Sequence, residues 1–352
     1  MQTIIGWDIG GAHLKAARIE NGRVVCATTI ACPLWQGLHQ LDMALAQARA
    51  QVGEAATHAV TMTGELCDAF ASREAGVVGL AARAAEEFPG ALVQLYAGRA
   101  GFVPLAAAGA HVTDIASANW HATAALAGTR HSAALVIDMG STTTDLIPVI
   151  AGQVAARGYA DATRAEHGEL VYTGLVRSFV MALADRAPFE GRWTVLMNEY
   201  FATSADIYRI LAELPEGADV MATADGREKT VAASCARLAR MIGRDASDAP
   251  LAEWRKLAEW FAAAQMRGVE DAARLVGSRA DLPASAPVIC AGIGRAQVRK
   301  LAARLGRGAV DFDELIEAVP EARAAAGDCA PAVAVAVLLG TAAGSANLQV
   351  RK

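Results

Sequence analysis

Residues 134–154 read ALVIDMGSTTTDLIPVIAGQV, and residues 4–24 read IIGWDIGGAHLKAARIENGRV. Offset by 130 positions, they align without a gap: Asp8 falls on Asp138, Gly10 on Gly140, Gly11 on Ser141, Lys15 on Asp145 and Gly22 on Gly152. Each copy has an apolar strand ending in Asp, a small-residue reversal, a second apolar strand and a further turn. Asn21-Gly22 is by itself a strong hairpin signal. A strand end carries a carboxylate to one point, and a Gly-containing reversal bares backbone N–H groups that an anion can approach. The hydroxyls of Ser141, Thr142, Thr143 and Thr144 can add donors. A carboxylate repels phosphate directly, so Asp8 and Asp138 suit a hydrated divalent metal, Mg²⁺ by preference. Two such hairpins facing one another would grip a pyrophosphate or polyphosphate from both sides.

The remaining composition narrows the class. The chain has 352 residues, 54% hydrophobic and 20% charged, with a net charge of −5. At about 150 residues per domain this suggests two domains. It excludes a disordered chain. A slightly acidic protein with 5% aromatics is not built to hold nucleic acid. Six scattered cysteines without a CxxC pair point to a reducing, cytoplasmic setting. The uncharged stretch from Cys329 to Val350 reads as a packed helix of small residues, not a membrane span. A homo-oligomer is left open.

Strands are expected over 57–66, 91–98 and 287–295, and helices over 112–128, 163–185, 228–243 and 251–276, with a final helix from 328. Asp114 or Ser117 is the expected cap of the helix over 112–128, and Thr203 or Ser204 caps another. Leu251, Trp254, Leu257, Ala258, Phe261 and Ala264 repeat at helical spacing and read as a core stripe. Gly292-Ile293-Gly294 after a strand fits either a nucleoside against bare backbone or a tight turn. No P-loop, HExxH, GxSxG or EF-hand pattern is present, and no His/Cys pair has metal-ligand spacing.

The two Asp-Gly hairpins, the Ala-rich helix near 112–128, the late GxG and the final Ala-rich helix together resemble the acetate/sugar kinase–Hsp70–actin superfamily. The resemblance implies an α/β fold of two actin-like, ribonuclease H-like lobes, each with a mixed sheet, around an interdomain cleft. One lobe would comprise 1–129 plus a C-terminal helix at about 330–352. The other would comprise 130–329, with a helical insertion at about 160–280. DMGSTTTDL at 138–146, GELVYTGLVRS at 168–178 and NEYFATSADIYRI at 198–210 resemble the hydantoinase/oxoprolinase relatives. CPLWQGL at 32–38, TMTGELCDAF at 61–70, ADGREKT at 224–230 and RLARMIGRD at 237–245 resemble a subgroup linked to tetrahydromethanopterin one-carbon metabolism.

Archaeal members of that subgroup include a methanofuran-pathway enzyme that joins a furan pyrophosphate to γ-glutamyltyramine as an aryl ether. For this chain the resemblance implies a transferase acting on a furan pyrophosphate and a glutamylated tyramine. The candidate metal ligands are then Asp8 and Asp138, with Gly10, Gly11, Lys15, Gly140, Ser141, Thr142 and Thr143 around phosphate. His13 is a phosphate donor or acid–base group, or makes a structural hydrogen bond. Asp145 orients a metal-bound water or accepts a proton, or is salt-bridged. Glu65 meets the furan ammonium or takes the phenol proton, or is a surface carboxylate. Tyr172, Gly174 and Arg177 are expected around the substrate, with Arg177 reading its carboxylate or lying on a helix surface. Gly292 and Gly294 are counted with the substrate site, and Trp35 is expected to pack its loop. The alternatives are an ATP-dependent ring-opening hydrolase, a small-molecule kinase binding ATP/ADP, and a nucleotide switch or filament protein.

Overall fold

The computed structural model describes residues 2–279 and 281–349. The first copy of the repeat folds as an antiparallel hairpin of β1 (Thr3–Ile9) and β2 (His13–Glu20), continued by β3 (Arg23–Ala31). Asn21 and Gly22 both have left-handed backbone, φ 50° and 83°, as a two-residue turn matched to strand twist requires. Ala151 and Gly152 repeat this at φ 50° and 74°. The second copy therefore keeps the turn without the asparagine that favours it.

Three more strands, β4 (Thr57–Met62), β5 (Leu92–Tyr96) and β6 (Phe102–Pro104), extend the first sheet beyond β1, with β4 and β5 parallel to it. The second sheet is built on the hairpin of β7 (Ala133–Met139) and β8 (Thr144–Ile150), flanked by β9 (Gln153–Val154) and β10 (Leu170–Val171). A separate ribbon pairs β11 (Arg186–Phe189) with β12 (Arg192–Val195). The strands β13 (Val288–Ala291) and β14 (Ala309–Asp311) lie parallel to β7 on its far side. A short β15 (Glu317–Ala318) returns to pair with β3. The sheet orders are β15-β3-β2-β1-β4-β5-β6 and β10-β8-β7-β13-β14. Both sheets thus place an antiparallel hairpin beside parallel strands, and the duplication read in sequence extends to topology.

Helices form layers around the two sheets. The outer face of the first is covered by α1 (His39–Val52) and α2 (Arg73–Glu87) through Leu41, Leu45, Val77 and Leu80. Next come α3 (Val112–Ile115), α4 (Asn119–Gly128), α5 (Asp161–Glu166), α6 (Ser204–Ile210) and α7 (Val231–Met241). The outer face of the second sheet is covered by α8 (Leu251–Gly277) and α9 (Arg295–Arg304) through Val269, Val276, Val298 and Leu301. The stripe on α8 is buried as expected at Trp254, Leu257, Ala258 and Phe261, whereas Leu251 at its start is exposed. Its first half packs on α6 and α7, and its second half on the sheet.

Between the sheets lie α4 and α11 (Ala330–Gln349), the latter preceded by α10 (Pro320–Asp328). They are exchanged: α4, from the first half of the chain, packs on β7 and β8, while α11 packs on β1, β2 and β4. The approach is close, since a Cβ on Gly6 would stand 1.9 Å from the Ala332 carbonyl oxygen. The result is the two-lobed α/β architecture with a mixed sheet in each lobe.

The structure corrects several local expectations. The chain re-enters the first lobe at β15, residue 317, not at 330. The expected extension of the last helix to 352 lies outside the described residues. No single helix among the described residues is long and apolar enough to cross a membrane. The helix expected over 112–128 breaks at Ser117, φ 52°, and neither Asp114 nor Ser117 caps α4. The helix expected over 163–185 ends at Glu166, and residues 168–178 instead form β10 and a tight turn. Apolar spacing there reflects burial against two elements, not one helical face.

Candidate active site

The hairpin tips of β1–β2 and β7–β8 open onto one cleft of about 720 Å³ between the lobes. They close identically: Gly10 N–H donates to the His13 carbonyl at 3.0 Å, and Gly140 N–H to that of Thr143 at 2.9 Å. A Cβ on Gly10 would stand 2.7 Å from the His13 oxygen, so glycine is required there, whereas Gly11 faces open space. Asp8 and Asp138 line the same cleft, as the duplicated-hairpin reading requires.

Charge differs between the copies. Asp8 is cross-strand partner to Lys15, whose Nζ lies 3.7 Å from Asp8 Oδ2. Burial alone would push the Lys15 ammonium down, but Asp8 and Asp138 hold it above its ordinary value. Burial pushes the Asp8 carboxyl up, against the opposing pull of the Lys15 ammonium and the nearby Asn119 side chain. In the second copy Asp138 stands opposite Asp145, a like-charge pairing that is destabilising unless compensated. The compensation comes from α5: buried Arg164 donates to Asp145 Oδ1 at 2.6 Å and lies over the Trp120 ring, 4.2 Å from its centroid. Asp145 is therefore salt-bridged. Among the described residues Asp138 forms no ion pair, and burial pushes its carboxyl up to about 7.

Among the described residues, Asp8 Oδ1 and Ser141 Oγ are buried without a hydrogen-bond partner. Thr142 and Thr143 line the cleft, whereas Thr144 turns inward and donates to the Thr173 carbonyl at 2.7 Å. His13 lies on the cleft wall. Burial, then Lys15 and Arg177, lower it to about 4, so near pH 7 it is a neutral imidazole and not a cationic phosphate ligand.

Other candidates sit differently from expectation. Glu65 is fully buried behind the wall and accepts from Ser117 Oγ at 2.7 Å; it is neither a surface carboxylate nor a group facing substrate. Gly292 and Gly294 turn their bare faces to Asp138 and Met139, where a Cβ would stand 2.3 and 2.5 Å from the nearest atom. They serve close packing, and only Ile293 between them lines the cleft. Gly174 packs on the Ser141 backbone, while Tyr172 and Arg177 line the cleft. Trp35, expected to pack its loop, lines it too. The 173–178 turn is pinned by Gln265, whose amide donates to Thr173 Oγ1 and the Gly174 carbonyl at 2.8 and 2.7 Å.

Sequence reasoning missed Asn119, Arg164, Asp328 and Cys329, all on the cleft wall. Arg164 had a signal: an unmatched Asp145 in place of Lys15 requires a cation from elsewhere. Thr203 does form its cap, reciprocally with Asp206, and Asp225-Gly226-Arg227 is a turn with Gly226 at φ 67°.

Residues 56–336 match the family model described as hydantoinase/oxoprolinase. The chain belongs to the hydantoinase/oxoprolinase family. It is 33% identical over 243 residues, 69% of this chain and 72% of the relative, to the (4-{4-[2-(gamma-L-glutamylamino)ethyl]phenoxymethyl}furan-2-yl)methanamine synthase of Methanocaldococcus jannaschii. It is 33% identical over 111 residues, 32% of this chain and 50% of the relative, to the Methanococcus vannielii protein of that name. Nucleotide-free acetone carboxylase superposes with a TM-score of 0.55 at 11% identity, over 95% of this chain and 70% of its own. That likeness concerns the fold alone. Within the hydantoinase/oxoprolinase family this chain is thus homologous to a named synthase.

Proposed function

We propose that the chain is a transferase that joins an aminomethylfuran pyrophosphate to a tyramine-type phenol, γ-glutamyltyramine, and releases pyrophosphate. The observation that carries this reading is the pair of matched hairpins at one cleft, with Lys15 3.7 Å from Asp8 and held charged by Asp8 and Asp138, and with Asp8 Oδ1 and Ser141 Oγ unpartnered among the described residues. The 33% identity to a synthase whose named product contains this ether supports the substrate class.

The residues fit a hydrated Mg²⁺, which takes one or two carboxylates and completes its shell with water and substrate phosphate. Asp8 and Asp138 would hold it, and it would supply positive charge to the leaving group. The chain's own residues do the remainder. Lys15 stays charged in the cleft and balances the leaving phosphate oxygens. The open Gly11 turn and the Ser141 hydroxyl donate to phosphate. The bond between the furanylmethyl carbon and the pyrophosphate oxygen breaks, and its electron pair leaves with pyrophosphate. The phenol oxygen bonds to that carbon, and the phenol proton passes to the departing pyrophosphate. Glu65 is walled off by Ser117 and Asp145 is engaged by Arg164, so neither is asked to take that proton.

The test is incubation of the purified protein with Mg²⁺, the furan pyrophosphate and γ-glutamyltyramine, without nucleotide. Ether by mass spectrometry with equimolar pyrophosphate is expected. No ether, or ADP formed only when ATP and a small-molecule substrate are added, would move the assignment to an ATP-dependent hydrolase or kinase.

A further inference from the structure

Each hairpin tip carries a short rider. In the first lobe, Cys32 and Leu34 donate their backbone N–H groups to the Ala12 and Gly11 carbonyls at 2.9 and 3.0 Å. Leu34 is fully buried and anchors this rider, leaving Trp35 at the cleft rim, 37% exposed. In the second lobe, Leu175 and Arg177 donate to the Gly140 and Ser141 carbonyls, both at 2.9 Å. The riders meet across the mouth, where the Arg177 guanidinium carbon stands 5.1 Å from the Trp35 ring centroid.

Arg177 is half-buried, and among the described residues it has no carboxylate partner. Buried Arg164, Arg237 and Arg279 each hold one. A guanidinium resting on an indole face is attracted more weakly than one on a carboxylate, with which it makes charge-assisted, often bidentate bonds. The spacing excludes a ring between the two. A planar group needs about 3.5 Å on either side, roughly 7 Å in all. A ligand ring can use the Trp35 face only when Arg177 swings away.

Resting on the transferase reading above, we propose that Trp35 and Arg177 form the acceptor gate and its specificity element. An aromatic acid displaces the guanidinium; its ring lies on Trp35 and its carboxylate takes Arg177. The phenol end is then held beside the hairpin tips where the pyrophosphate leaves.

The test uses the full chain with Mg²⁺ and the furan pyrophosphate, comparing γ-glutamyltyramine with plain tyramine. Arg177→Ala is expected to reduce the ratio of their kcat/KM values at least tenfold, through the KM of the glutamylated acceptor. Trp35→Ala is expected to lower kcat/KM for both acceptors by a similar factor. Affinity for inorganic pyrophosphate with Mg²⁺, measured by calorimetry, should stay within twofold in both variants. An unchanged acceptor ratio in Arg177→Ala overturns the gate while leaving the transferase reading intact. A tenfold loss of pyrophosphate affinity in that variant also overturns it, because Arg177 would then be a phosphate ligand. Absence of ether from the wild-type protein removes both.

Discussion

Asp138 is held in the fold at a cost that pH can switch. Its carboxyl rises from 3.8 to about 7, chiefly through burial, with Lys15 pulling down and Asp145 and Asp8 pushing up. The sign follows from where the proton sits. Below about pH 4 the group is protonated in folded and unfolded chains alike, so folding meets no penalty. Between 4 and 7 the unfolded chain has released the proton and the folded chain has not, so stability falls as pH rises. Above 7 the penalty is complete. At about 1.4 kcal/mol per unit, a rise of roughly three units amounts to about 4 kcal/mol. Asp138→Asn removes the titration and keeps the shape. Its stability advantage, measured by urea unfolding from pH 5 to 8.5, should grow by about 1.4 kcal/mol per pH unit and level off above 7. The same variant should lose the stabilisation that Mg²⁺ with pyrophosphate gives the wild type, about 2.7 kcal/mol at a hundredfold excess over Kd. A stability difference that does not change with pH would refute the electrostatic argument, and undiminished stabilisation by the ligand would remove Asp138 from the site.

Three further outcomes are expected. Arg164→Met leaves Asp145 beside Asp138 without its cation and should cost about 3–5 kcal/mol, recovered largely in the double variant with Asp145→Asn; urea midpoints of the set check this. Gly6→Ala drives a Cβ into the Ala332 carbonyl, a backbone clash that no rotamer relieves, and should cost about 3 kcal/mol in chemical denaturation. The His13 imidazole should titrate by NMR with a midpoint about 4 and carry no charge at pH 7, and Arg177→Ala should raise that midpoint; a midpoint at the ordinary histidine value would show the ring to be solvated.

What could be read from the residues is what repetition and local chemistry determine. The offset of 130 makes Asp8 equivalent to Asp138 and Lys15 to Asp145; that these residues also face one another across each hairpin, Asp8 with Lys15 and Asp138 with Asp145, is seen only in the strand register. The shared cleft followed from the repeat. The GxG at 292–294 misled, because a glycine is needed as much for a neighbouring side chain as for a ligand, and here Met139 and Asp138 occupy the space. Glu65 misled for a related reason: a strand end directs the backbone to the cleft, but the Ser117 backbone at φ 52° places its hydroxyl in between. The turn at 173–178 was beyond local reading, since its hydrogen bonds go to Gln265 and Ser204, distant in sequence. The unmatched Asp145 signals the need for a cation, but not that Arg164 supplies it, since the two lie on β8 and α5 and the aromatic support is on α4.

The exchange of α4 and α11 bears on how the two lobes can move. Each sheet relies for its inner cover on a helix from the other half of the polypeptide, so severing the linker after Gly128 would not release two independent bodies. The core between the sheets is rich in alanine, with Ala122, Ala124, Ala332, Ala334 and Ala336 buried beside Trp120, Leu126, Val333 and Val335. Alanine has no rotamers to lose, so close packing at these positions carries no side-chain entropy cost. Relative movement of the lobes would have to slide these packed helices past one another, a shear, instead of opening them about a free linker.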